Sequence, residues 1–196
     1  MTEWDEKWNG GFLMREIEVY WIKDIKRITN DFFELIGDVS CLVSINSNNT
    51  EDVAEDICIE QKKYPINLII DAHRSDYDEL DEVLTVQDIK YCTHTVNWRY
   101  KYYDIWLQNE DHVKVIFPIA ARIALANQFV VWSFLNTLKF NYEPKRKNLS
   151  ILMEEESTIM WFDYDCDGIY CLSNQKEWSN LNEIREIMPK NTMIID

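Results

Sequence analysis

Along residues 16–36 the apolar side chains Ile17, Val19, Tyr20, Ile25, Ile28, Phe32, Leu35 and Ile36 fall mostly on one stripe at helical spacing. That predicts a helix, closed by Gly37 in a left-handed conformation. Residues 39–45 are short, β-branched and apolar, which predicts a strand. The polar run 46–49 reads as a loop. Thr50, Glu51 and Asp52 then open a second helix, running to about Lys63 and stopped ahead of Pro65. Residues 66–70 predict another apolar strand, and 71–82 an acidic, exposed loop. Residues 86–107 are rich in Thr, Val, Tyr and Trp with partial alternation, as in one or two strands. Pro118 suits a first helical turn, and the helix it opens is predicted through Ala120, Ile123, Ala124, Phe129, Trp132 and Leu135 to about Leu138.

Residues 149–153 and 158–164 predict a hairpin turned at 154–157. A second turn at 165–168, with Gly168 at positive φ, leads to a third strand at 169–172. Residues 177–188 predict a short amphipathic helix stopped by Pro189. The order predicts one α+β domain over residues 1–196. It is a mainly antiparallel sheet packed with helices, with a C-terminal β-meander followed by a short helix.

Composition changes this picture in one respect. The chain has 35 acidic against 20 basic residues, a net charge of −15 on 196 residues, yet 46% of it is hydrophobic. A disordered acidic tail is excluded. Such a field repels phosphate and anionic lipid and attracts basic partners, so neither nucleic acid nor membrane is expected as a partner. The apolar region 113–140 contains Arg122, Asn127 and Gln128 and reads as a buried helix instead of a membrane span. Residues 1–10 are polar and acidic, unlike a signal peptide. Five scattered cysteines without C-x-x-C spacing fit reduced thiols in the cytoplasm.

The acids are uneven. Residues 71–88 hold seven (Asp71, Asp76, Asp78, Glu79, Asp81, Glu82, Asp88) against Arg74 alone. Residues 154–167, opening with Glu154, Glu155 and Glu156, hold six and no base. Lys139, Lys145, Arg146 and Lys147 form a basic cluster. Solvated surface is the bland account of such runs, and a face complementary to a basic protein is the sharp one.

Catalytic signatures are weak. There is no G-x-S-x-G, P-loop or G-x-G-x-x-G. His73 follows a predicted strand beside Asp71, a placement open to a general base or to an ordinary polar loop. No histidine pair has the spacing of a helical zinc site, no cysteine is read as having a histidine near it in sequence, nothing favours a spatial Cys–His pair, and no metal or cofactor is expected. Asp163, Asp165 and Asp167 before Gly168 copy the start of a calcium loop, but Asn174 stands where its last ligand, a glutamate, belongs. Tyr91, Trp98, Tyr100, Tyr102, Tyr103 and Trp106 form an aromatic band, read as half-buried strand surface or as interface anchors.

The stretch 158–173, an apolar strand running into an acidic Asp/Gly turn and then another strand, resembles the end of an uncharacterised group of small acidic bacterial proteins. Residues 28–45, read as a helix ending in Phe32-Phe33-Glu34-Leu35 and leading into an apolar strand, are similar to a second part of that group. The resemblance implies a stand-alone cytoplasmic immunity or antitoxin protein. Charge and resemblance together predict a non-enzymatic inhibitor of a basic toxin domain, with a nuclease as the expected case. Its binding residues would be Asp71, Asp76, Asp78, Glu79, Asp81, Glu82, Glu154, Glu155 and Glu156. The alternatives are a metal-dependent hydrolase centred on Asp71 and His73, and a non-catalytic adaptor using the aromatic band.

Overall fold

The computed structural model describes residues 15–25, 33–135, 138–143, 148–190 and 192–195. In chain order the elements are β1 (Arg15–Ile25), β2 (Glu34–Ile36), β3 (Val39–Asn46), α1 (Thr50–Gln61), β4 (Ile66–His73) and α2 (Tyr77–Val86). Then come β5 (Lys90–Thr95), β6 (Tyr100–Leu107), α3 (Glu110–Leu125), β7 (Val130–Phe134), β8 (Lys139–Glu143) and β9 (Asn148–Leu152). Last are β10 (Thr158–Phe162), β11 (Gly168–Ser173), α4 (Leu181–Ile187) and β12 (Thr192–Ile195). Nine strands form one sheet in the order β12-β1-β3-β11-β10-β7-β4-β6-β5, and β2-β9-β8 form a second. Among the described pairings only β1 with β12 and β2 with β9 are parallel. The fold is therefore α+β and mainly antiparallel, and its C-terminal strands precede a short helix.

The large sheet carries an apolar core on each face, and side-chain alternation sorts its residues between the two. Ile66, Leu68, Ile70 and Ala72 of β4 pack with Val53 and Ile57 of α1, Leu80 and Leu84 of α2, and Ile116 and Phe117 of α3. On the opposite face, Ile69, Tyr102, Val131 and Trp161 pack with Leu149, Ile151 and Phe140 of the small sheet. Helices thus cover one face and three strands cover part of the other.

Several predicted elements are corrected. Within the predicted helix 16–36, the described residues other than Phe33 are strand: 15–25 form β1, where Ile17 and Val19 are buried while Glu18 and Tyr20 are exposed, a period of two, and 34–36 form β2. Residues 26–32, the middle of the predicted helix, lie outside the described residues. Gly37 does have positive φ (112°), but it links β2 to β3. The predicted loop 71–82 is instead the end of β4, a 3₁₀ turn and α2, because Tyr77, Leu80, Val83 and Leu84 make an apolar stripe among the acids.

Pro118 lies inside α3, not at its start. The true start is Asn109, whose side-chain oxygen accepts from the His112 N–H at 3.0 Å, with Glu110 and Asp111 in the first turn. Asn127, at φ 58°, follows the end of this helix, and 130–134 are strand β7. Every residue of β7 is buried, and a continuous apolar run does not reveal its period. No helix among the described residues is long and apolar enough to cross a membrane.

The predicted hairpin of 149–153 with 158–164 does not form. β9 belongs to the small sheet and β10 to the large one, where β10 pairs with β7 and β11. The turn from β10 to β11 has its positive φ at Asp165 (56°) and Cys166 (57°), not at Gly168. Gly168 is required by a close approach: a Cβ there would lie 2.9 Å from the Ile45 carbonyl oxygen of the neighbouring strand. Gly168→Ala should therefore lower unfolding free energy by about 1–3 kcal/mol, through displaced backbone. Chemical denaturation reads this, and an unchanged midpoint would show that β3 and β11 are not so closely apposed.

Candidate functional site

The acids singled out in the sequence are separated by the fold. Asp71 lies on β4 at the register position of Tyr102, in phase with Ile69, so it belongs to the small-sheet side. Its Oδ1 is buried without a hydrogen-bond partner, and burial pushes the carboxyl up to about 7. Asp76, Asp78, Glu79, Asp81 and Glu82 lie at or on α2, which packs on the helical side.

Within α2 the acids have different duties. Arg122 of α3 forms an ion pair with Glu79 and stands 3.6 Å from Asp76 Oδ1. Asp81 Oδ1 accepts from the Tyr103 hydroxyl at 3.1 Å and the Tyr91 hydroxyl at 3.4 Å. These three acids hold the helix against α3 and the β5–β6 hairpin. Asp78, Glu82 and Asp88 are exposed, and they give this side its outward negative charge. Glu154, Glu155 and Glu156 form the turn ahead of β10, where Glu154 pairs with Lys139 while Glu155 and Glu156 are exposed. Lys145, Arg146 and Lys147 lie outside the described residues.

A third acidic region surrounds a groove of about 590 Å³, lined by Glu18, Asn46, Ser47, Thr50, Asp165 and Asp167 among others. Cys166 beside it has its thiol pushed up to about 11 by burial and by the nearby charges of Glu51 and Asp167. Here the calcium-like motif forms a polar turn between paired strands, with the Asp163 N–H donating to the Gly168 carbonyl at 2.9 Å.

His73 is turned to a local task. Its Nδ1 lies 2.9 Å from Ser75 Oγ and accepts the Ser75 N–H, capping the 3₁₀ turn, and its ring meets Tyr100 edge-on. Among the described residues it belongs to no group of three metal-ligating side chains.

The aromatic band is divided too. Tyr102 and Tyr103 are core residues on opposite faces of the sheet. Trp98, 68% exposed, sits at the tip of the β5–β6 hairpin with the Arg99 guanidinium 4.3 Å from its ring centroid. Asn97 Oδ1 accepts from the Arg99 and Tyr100 N–H groups and so shapes that tip.

One grouping corrects the reading that no cysteine has a histidine near it, since Cys92 and His94 stand two residues apart and meet in space. Cys92 and His94 of β5 and Asp104 of β6 bring a sulfur, a ring nitrogen and a carboxylate oxygen within 4.8 Å of one another. The signal was Cys92-Thr93-His94, alternate positions that share a face of a strand.

The molecule is thus an α+β protein whose outward chemistry is acidic and divided among three regions. No family model, curated protein or solved structure matches the chain.

Proposed function

We propose that this chain is a non-enzymatic cytoplasmic inhibitor of the immunity or antitoxin kind. It binds a basic toxin domain, in the expected case a nuclease, through its acidic surface. The observation that carries this reading is the excess of 35 acids over 20 bases in a chain with a full hydrophobic core. Part of that excess stands exposed at Asp78 and Glu82 of α2 and at Asp88 just after it. Charge of one sign speeds encounter with a basic partner and imitates the phosphates such a partner binds. The likeness of 158–173 to small acidic bacterial proteins points the same way.

The test is co-expression and binding with basic toxin domains encoded beside it, followed by association kinetics against salt. Asp78→Asn, Glu82→Gln and Asp88→Asn together should slow association several-fold at low salt. The difference should close near 1 M salt, where the Debye length is about 3 Å. Thermal stability should stay within about 0.5 kcal/mol of wild type, since all three are exposed surface positions. Asp76, Glu79 and Asp81 are left intact because they pair with Arg122, Tyr91 and Tyr103. If no basic domain is bound or neutralised, the reading falls. Equal association rates at low salt would remove α2 as the capturing surface.

A further inference from the structure

We propose that Cys92, His94 and Asp104 form a binding site for a single zinc ion at the outer edge of the nine-stranded sheet. The site is independent of the inhibitor reading and lies away from the exposed acids of α2.

The placement follows from strand geometry. β5 is the last strand of the sheet, so its outer side has no neighbouring strand among the described residues. Cys92 and His94 are two apart and project to the same face. On β6, Asp104 is the register partner of Cys92. The three donors therefore converge on one face of two adjacent strands.

Their separations suit a metal. Cys92 Sγ is 3.6 Å from His94 Nε2 and 3.9 Å from Asp104 Oδ2. A tetrahedral zinc with ordinary bond lengths holds sulfur and nitrogen about 3.6 Å apart, and sulfur and oxygen about 3.5 Å apart. The two sulfur separations need at most a few tenths of an ångström of closure, and the His94 nitrogen and Asp104 oxygen lie within 4.8 Å of each other.

The surroundings hold the donors in place. Asp104 is 6% exposed, and its Oδ1 accepts from Asn67 Nδ2 at 2.6 Å, which leaves Oδ2 facing Cys92. Asn67 is itself buried and also donates to the Ile105 carbonyl, so the amide is fixed. Such an outer hydrogen bond is what orients a ligating carboxylate. The His94 ring stands edge-on to Phe140 of β8, with centroids 5.4 Å apart, which sets its plane. Lys90, on the same face of β5, lies over the Trp106 ring 4.8 Å from its centroid.

The donor set of sulfur, nitrogen and oxygen is one that zinc takes. Burial and the neighbouring Asp104 push the Cys92 thiol up, the reverse of what activates a cysteine. A divalent cation reverses that preference. On binding, the thiol releases its proton to solvent, and thiolate, carboxylate and neutral imidazole share the ion. The mixed sulfur, nitrogen and oxygen set suits zinc, and three protein ligands at an open edge leave the fourth position to water.

The test uses the full chain, stripped with a chelator and titrated with Co²⁺ and then Zn²⁺. The wild type should take up one Co²⁺, with a thiolate-to-cobalt charge-transfer band and the visible bands of tetrahedral cobalt. Zn²⁺ should displace it. Cys92→Ser should abolish the charge-transfer band and weaken Zn²⁺ binding by about tenfold or more, and His94→Gln should weaken binding similarly. Both replacements are on the edge strand and leave the Asn67–Asp104 bond untouched. Absence of the charge-transfer band in the wild type would overturn the proposal. So would unchanged Zn²⁺ affinity in Cys92→Ser.

Discussion

Replacing Trp132 by alanine is expected to destabilise the protein by about 3–5 kcal/mol, a loss on the order of 10 °C in Tm. Trp132 is fully buried on β7, in register with Met160 of β10 and Leu68 of β4. Its ring lies 5.3 Å from that of Phe117 on α3 and 5.0 Å from that of Phe162 on β10. Truncation removes the aromatic contacts between the helical layer and the middle of the sheet. It leaves a cavity that three hydrogen-bonded strands cannot close. Trp98→Ala is the matched control. Trp98 is 68% exposed at a hairpin tip, and its loss should change stability by less than about 1 kcal/mol. Urea unfolding of the two variants checks both. Equal midpoints would mean that β7 is not the packed centre of the sheet.

That contrast shows what local pattern can and cannot reveal. β3, α1 and most of β4 were legible because each has a clear period and punctuation, while the β5–β6 region, with only partial alternation, was read no further than one or two strands. β1 was not, since its apolar residues are numerous enough to fit a helical stripe as well as alternation. β7 was not, because a strand buried on both faces has no polar positions to mark its period. Helix α2 was hidden by its own acids, although Tyr77, Leu80 and Leu84 carry the helical signal. The pairing of β9 with β2 and β8, and of β12 with β1, joins residues distant in sequence, and no local rule specifies it.

The site residues follow the same rule. A count of acids could not separate Asp78, which is exposed, from Asp81, which is bonded to two tyrosines. The Cys92-x-His94 spacing was present in the chain, but its meaning depends on Asp104, which only the β5–β6 register brings opposite. Buried Asn67 then gives that carboxylate an orientation. Chemistry assembled across strands becomes visible once register is known, whereas helical ligand pairs can be read from spacing alone.

Asp71 provides the second large effect, and its sign is opposite to that of an ion-paired carboxylate. Its folded-state pKa is raised from 3.8 to about 7 by burial. Between those values the folded protein holds a proton that the unfolded chain has released. Unfolding free energy therefore falls as pH rises through this window, and the full benefit of the neutral carboxyl is present only below the unfolded value. Three pKa steps correspond to about 4 kcal/mol, and because Asp71 as a residue is half-buried the expected change is about 2–4 kcal/mol. Asp104 and Glu55 are raised in the same direction, also mainly by burial, and contribute to the same slope. Asp71→Asn isolates the Asp71 share, because the other groups remain in both proteins. The variant should gain about 2–4 kcal/mol relative to wild type between about pH 4 and about pH 8. Denaturant unfolding across that range measures the difference, and a flat one would show that the Asp71 carboxyl ionises in solvent like an ordinary surface acid. A rising one would place Asp71 in the protein's interior chemistry, apart from the outward charge that Asp78, Glu82 and Asp88 present.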